Sequence, residues 1–281
     1  MKTLRISFIL ILTVLTYFHL QAQQSAGHYA KVNQLNLYYE IHGKGSPLVL
    51  LHGGGSTIES TFGRILPVLA KQHQVIAIEL QAHGHTADID RPLSFEQDAD
   101  DVAALLMQLH IAKADIMGFS NGATTALQMG IRHPEMVNKL VLVAALTKRS
   151  GMPPGFFEGF KDPTPDVMPQ PLKDAYLKVN PDPKGLVTMF NRDATRMRNF
   201  KDIPDDTIRK IQAPAMVIGG DKDVILPAHA LELSQLLPHA ELVILPGVHG
   251  ECIGEICSWN KENKQPAITE ELIEIFLRKK A

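Results

Sequence analysis

Three side chains that lie far apart in the chain, Ser120, Asp223 and His249, have the types needed for nucleophilic catalysis. A serine hydroxyl is a weak nucleophile at neutral pH. It needs a base to take its proton, and the base needs an acid to hold its tautomer. Ser120 sits in Gly118-Phe119-Ser120-Asn121-Gly122, a G-x-S-x-G pentapeptide. Residues 114–117 before it read as a buried strand, and residues 123–132 after it read as a helix ending ahead of Pro134. A serine on such a strand-to-helix turn is forced into strained backbone that pushes its hydroxyl into open space, and small neighbours tolerate so sharp a turn.

The acid and base follow in the order that this chemistry uses. Residues 215–220 form a buried-strand pattern running into Asp221-Lys222-Asp223, and residues 242–245 form another running into Pro246-Gly247-Val248-His249. Both side chains therefore lie just past the carboxyl ends of strands, where open α/β sheets build their sites. The order Ser, Asp, His matches the elbow motif. Spacing favours Asp223 over Asp221, because Asp223 stands between Gly220 and Pro227, which should open the next helix; Asp221 reads as a turn residue. His133 and His239 adjoin prolines and read as helix-end residues.

Acyl transfer also needs rigid donors aimed at a tetrahedral oxyanion. Leu51-His52-Gly53-Gly54-Gly55 follows an apolar strand and lets the main chain approach a substrate oxygen closely. The backbone N–H groups of Gly54 and Asn121 are the expected donors. The glycine run is not followed by Lys-Ser/Thr, so it does not match a phosphate-binding loop.

On these residues the chain resembles the α/β-hydrolases. The resemblance runs from about residue 31 to 277 and is carried by His52-Gly53, Ala82-His83-Gly84-His85-Thr86, the serine elbow, and the Asp223 and His249 loops. Members commonly carry Gly-His-Gly-x-Ser where this chain has Ala82 and Thr86, Asp where it has Glu79, and a Gly before the base where it has Val248. These departures alter loops and leave the three chemical groups in place. The resemblance implies a hydrolase of esters or similar acyl compounds.

The elements that must position these groups are legible as patterns. Residues 35–41 alternate as an edge strand; 47–51, 75–80, 114–117, 140–143, 215–218 and 242–245 are short apolar runs suited to a sheet covered on both faces. Helical stretches separate most of them. One begins with a capping box of Ser94 and Gln97 and carries Val102, Leu105, Leu106 and Leu109 on one face; the last carries Leu272, Ile275 and Phe276. The alternation predicts an α/β fold with a mainly parallel sheet, right-handed crossovers and helices on both faces. Roughly seventy residues rich in Pro, Met and Phe interrupt it between the 140–143 and 215–218 strands, longer than an ordinary connection. They predict an inserted helical cap over about residues 147–210. Among its large apolar residues, Phe156, Phe157, Phe160, Met189 and Phe190 are the candidates for the substrate pocket, with Met152, Met168, Tyr176 and Met197 beside them.

With 281 residues, 45% of them hydrophobic, the chain is long enough for one α/β domain and its cap. Lys2 and Arg5 precede an uncharged run over residues 6–18, and His19-Leu20-Gln21-Ala22 ends in a small residue, the layout of a secretory signal peptide over residues 1–22. The run is short of the roughly twenty residues that a membrane span needs. This predicts an exported protein, periplasmic or secreted, without stable membrane insertion once residues 1–22 are removed. Removal deletes two positive charges from a chain of formal net charge −2, which disfavours nucleic acid and anionic membranes as partners. Export leaves two states open for the two cysteines: a Cys252–Cys257 bridge behind His249, or two separate buried thiols. Two cysteines with one histidine already committed make too few ligands for zinc.

The sequence therefore predicts a serine hydrolase that cleaves carboxylic esters of small-molecule acyl substrates through an acyl-enzyme on Ser120, with no metal or organic cofactor. A lactonase, a carbon–carbon bond hydrolase or a cofactor-free perhydrolase would use the same three groups. A non-catalytic ligand-binding sensor would reuse the fold alone.

Overall fold

The computed structural model describes residues 27–279 apart from 259 and 261. The leader expected over residues 1–22 lies outside the described residues. Among these residues, eight strands form one sheet: β1 (His28–Val32), β2 (Leu35–His42), β3 (Ser46–Leu51), β4 (His73–Glu79), β5 (Ala114–Phe119), β6 (Val137–Val143), β7 (Ala215–Gly220) and β8 (Ala240–Leu245). The order across the sheet is β1-β2-β4-β3-β5-β6-β7-β8. β2 pairs antiparallel with both β1 and β4, and every pair from β4 through β3 to β8 is parallel. The expected edge strand β2 is thus an inner strand, because the hairpin partner β1 covers its outer side.

The strands bury both faces, as continuous apolar runs require. Period-two alternation sends Val49, Leu51, Ile76 and Ile78 to one face and Leu48, Leu50, Val75 and Ala77 to the other. The first face is covered by α3 (Phe95–Gln108), α4 (Asn121–Arg132) and α8 (Pro227–Leu236) through Val102, Leu106, Leu127 and Leu233. The second is covered by α1 (Ile58–Phe62), α2 (Leu66–Leu69) and α9 (Gln265–Leu277) through Phe62, Leu69 and Phe276. The outermost strand β8 is only half-buried, since it has a neighbour on one side alone.

Two helical details differ from expectation. Ser94 caps α3 by accepting the Gln97 N–H, but the Gln97 side chain turns away to donate to Asp101, so the box is one-sided. On α9 the buried stripe is Thr269, Ile273, Phe276 and Leu277; Leu272 is half-buried and Ile275 is exposed. The stripe is rotated because Glu274 is drawn inward by His73, whose Nε2 lies 2.8 Å from its carboxylate.

Between β6 and β7 the chain leaves the sheet through three short 3-10 turns and the helices α5 (Gln170–Val179), α6 (Pro183–Arg198) and α7 (Asp205–Ile208). The Ile203 N–H donates to the Thr147 carbonyl, tying the two ends of this insertion together. The insertion has a small core of its own, with Met168, Tyr176, Leu186 and Met189 packed onto Ala82 of the body. Among the described residues, no helix is long and apolar enough to cross a membrane.

Candidate active site

Parallel pairing delivers the chemical groups to one end of the sheet. Leu51 of β3 lies opposite Gly118 of β5, so the glycine loop and the serine elbow emerge side by side. Gly220 of β7 lies opposite Leu245 of β8, so the Asp223 and His249 loops also emerge together. At the elbow Ser120 has φ 54° and ψ −119°, a conformation that L-residues rarely adopt. Its surroundings enforce it: a Cβ at Gly118 would collide with the Gly122 carbonyl, and one at Gly122 with the Leu51 carbonyl. The Ser120 N–H is held by the Val143 carbonyl at 2.9 Å.

The Ser120 Oγ lies 3.0 Å from Nε2 of His249, and Nδ1 of His249 lies 2.7 Å from Oδ1 of Asp223. Asp223 is buried and its Oδ1 also accepts the Ile225 N–H. This arrangement requires the proton on Nδ1 and leaves Nε2 free to accept from the serine. The imidazole packs on Phe119, with 4.6 Å between ring centroids. Asp221 does more than turn the chain: its Oδ1 accepts the Gly247 N–H at 2.7 Å and anchors the loop that carries His249.

Gly54 and Asn121 both line the cavity that contains Ser120. Asn121 opens α4, so its N–H has no acceptor within the helix. The cavity measures about 330 Å³, and its apolar wall comes mainly from the insertion: Met152, Phe156, Phe160, Met168, Leu172, Phe190 and Met197. Two of the expected pocket residues are elsewhere. Phe157 does not line the cavity and is instead stacked on Phe200, with the Arg149 guanidinium 3.7 Å from its ring centroid. Met189 is fully buried in the insertion's own core. Helical period explains the split on α6, where Phe190, Ala194 and Met197 face the cavity while Leu186 and Met189 face Tyr176.

The two cysteines are both free, which corrects each of the states expected for them. Cys252 follows the 3-10 turn Glu251–Ile253 into the core, whereas the chain reverses at Gly254 (φ 73°) and leaves Cys257 exposed. The buried carboxylate of Glu255 then accepts the Cys257 N–H.

The departures in the 79–86 segment form a connected bond set. Buried Glu79 accepts the N–H groups of Ile58 and His85 and faces Nδ1 of His85; Thr86 donates to the Glu79 carbonyl and accepts the Tyr38 N–H. The extra methylene of Glu over Asp lets the carboxylate reach the first residue of α1.

A second polar cluster, unread in the sequence, borders the cavity. Asp193 and Arg196 on α6 meet His83 and Asp98 of the body. His83 faces two acceptors, the Gln81 carbonyl at Nδ1 and the Asp193 carboxylate at Nε2, each at 2.9 Å, so it carries two N–H groups and a positive charge. Burial opposes that charge, but the Asp193 carboxylate overcomes it and raises the His83 pKa. Neighbouring His52 is the reverse case. Its Nδ1–H donates to the Gly53 carbonyl and its Nε2 accepts the Leu80 N–H, while burial and the His83 charge push its pKa down to about 3. Burial likewise lifts Asp98 to about 6 despite its contact with Arg196. The signal in the sequence was the pair Asp193 and Arg196, three residues apart on a helix that is otherwise apolar on that side.

A raised folded pKa for His83 has a defined consequence for stability. The folded state binds more protons than the unfolded one above about pH 6.5, the ordinary histidine value, so this contribution is complete below that pH and is lost as pH rises through the folded value. His52 is neutral in both states there and adds nothing. Unfolding free energy measured by urea titration should therefore fall more steeply above about pH 6.5 in the parent than in His83→Gln. Identical pH slopes for the two proteins would rule out a charged His83.

The sheet topology and the serine elbow define an α/β-hydrolase. A family model described as alpha/beta hydrolase fold matches residues 46–182. The chain is 28% identical to the dihydrolipoyllysine-residue acetyltransferase component of the acetoin cleaving system of Pseudomonas putida, over 80% of this chain and 65% of that protein. It is 29% identical to Serine hydrolase BPHL of Homo sapiens, over 76% of this chain and 77% of that protein. It shares its fold with the enol-lactonase of Burkholderia xenovorans, with TM-score 0.72 and 22% identity, over 89% of this chain and 100% of that one. The chain has the α/β-hydrolase fold.

Proposed function

We propose that the protein is a serine hydrolase that cleaves uncharged, apolar carboxylic esters, cyclic esters included, through an acyl-enzyme on Ser120. The observation that carries this reading is the line Ser120–His249–Asp223 on the floor of a cavity walled by Met and Phe side chains. In the first step Ser120 Oγ attacks the carbonyl carbon and gives its proton to Nε2 of His249. The resulting imidazolium is stabilised by Asp223 and then protonates the leaving alkoxide. The oxyanion is received by the backbone N–H groups of Gly54 and Asn121. Water, deprotonated by the same imidazole, releases the acid and restores the serine.

Charge favours neutral esters over the carbon–carbon cleavage of carboxylate-bearing substrates. The lining contains no Lys or Arg. An anionic substrate would lose its hydration without gaining a partner. Kinetics on a matched pair, p-nitrophenyl butyrate and the p-nitrophenyl monoester of succinate, test this. The neutral ester should have a kcat/KM at least about tenfold higher, a difference of about 1.4 kcal/mol. Equal or reversed values would remove the charge argument, and no turnover of any ester or lactone would favour the ligand-binding sensor.

A further inference from the structure

We infer that Asp193, carried by the inserted cap, is the positioning residue for the oxyanion loop, so that docking of the cap and assembly of the oxyanion hole are one event. The inference rests on the serine-hydrolase reading above and assigns a role to a residue that contributes nothing to the Ser–His–Asp line.

The geometry around Gly54 carries it. The N–H of Gly55 donates to Asp193 Oδ2 at 2.7 Å, which fixes the peptide joining Gly54 to Gly55 from the cap side. From the other side the amide of Asn121 crowds Gly54, since a Cβ there would collide with Asn121 Nδ2 and lie 3.2 Å from Asp193 Oδ2. The loop is therefore clamped between the elbow and α6. Oxyanion donors are effective because they are held in place before charge develops, and a loop of three consecutive glycines has little rigidity of its own.

Asp193 is placed to hold a loop and not to act as a base. Its Oδ2 receives both the Gly55 N–H and His83 Nε2–H, and its Oδ1 receives Arg196. Burial would raise its carboxyl, but the His83 and Arg196 charges and the bonds from His83 and Gly55 hold it well below the usual carboxylate range. The same two cations answer a difficulty. A bare carboxylate next to a developing oxyanion would raise the barrier, whereas one neutralised by His83 and Arg196 can order the loop without opposing the reaction. Arg196 continues to buried Asp98 at 2.7 Å, and Arg192 pairs with Asp88 at 2.8 Å, so α6 is attached to the body independently of the Gly55 bond.

The test compares Asp193→Ala, which removes the acceptor, with Asp193→Asn, which keeps one. Both lose the carboxylate charge, so a purely structural role would lower melting temperature and activity together in both. The positioning role gives a different pattern with p-nitrophenyl butyrate. Asp193→Ala should lose about a hundredfold in kcat with KM changed less than about threefold, and Asp193→Asn should keep about tenfold more kcat than Asp193→Ala. A trifluoromethyl ketone, which forms a hemiketal oxyanion on the serine, should bind more weakly in proportion to kcat/KM. If Asp193→Ala does not fold, the trifluoromethyl ketone affinity and kcat of Asp193→Asn against the parent carry the same comparison, with a parallel loss expected. Folded variants with kcat within about threefold of the parent, or a loss confined to KM, would overturn the role. Fluorophosphonate labelling of the parent separates the two levels: a parent that refuses the probe overturns the serine-hydrolase reading itself, and a labelled parent with unaffected variants overturns only Asp193.

Discussion

Replacing Ser120 by Ala is expected to abolish labelling by a fluorophosphonate and to lower ester turnover by at least about a thousandfold, with the fold intact. The size follows from the chemistry. Without Oγ there is no acyl-enzyme, and only the binding and oxyanion contributions survive. The fold should persist because the features that enforce the elbow are outside the side chain: the Val143 carbonyl holds the Ser120 N–H, and Gly118 and Gly122 leave no room for another path. Alanine also has to adopt φ 54°, so it inherits the backbone strain of the parent. Circular dichroism should match the parent. Residual hydrolysis above about one part in a thousand in a clean preparation would show that the reaction does not run through Ser120.

The second large effect concerns the histidine and the choice between two aspartates. His249→Ala should lose nearly as much as Ser120→Ala, and the double variant should lose little more, because the two groups act as a unit. Asp223→Asn should be crippled by roughly ten-thousandfold, since an amide at that position turns the imidazole to the wrong tautomer. Asp221→Asn should remain within a few-fold of the parent, because its amide oxygen can still accept the Gly247 N–H that Asp221 accepts now. Steady-state kcat for the parent and the five variants on one ester decides the matter. The reverse ranking of Asp221 and Asp223 would show that the orienting acid has been misassigned.

These residues were legible in the sequence because each is governed by its immediate neighbours. The elbow is a five-residue signal between a strand and a helix, and the strand patterns ahead of Asp223 and His249 mark where a parallel sheet ends. Chain order then supplied the roles expected of the three side chains. The outer strand β1 was not legible, because five residues with three of them exposed carry little apolar pattern. Its presence made β2 an inner strand. On α9 the pattern alone pointed to Ile275, yet pairing of Glu274 with His73, 201 residues away in sequence, rotated the buried face.

The insertion was recognisable by its length and composition, but the direction of each side chain was not. Phe156 and Phe157 are adjacent and chemically identical; one lines the cavity and the other lies against Phe200 and Arg149. The two cysteines make the same point, since their short separation suited a bridge until Gly254 turned the chain.

What the amino-acid sequence determined by itself is the fold class, the order of the chemical groups and their location at the carboxyl ends of strands. These follow from local patterns of period two and 3.6 and from the turn chemistry of glycine and proline. What only the tertiary structure decided is which cap residues line the cavity at Ser120 and that Asp193 grips the glycine loop. Gly55 and Asp193 are 138 residues apart, and no local rule connects them. A buried charge tolerates its surroundings only when partners from separate elements arrive together, and here His83, Arg196 and the Gly55 N–H converge on one carboxylate only after the cap has packed on the sheet.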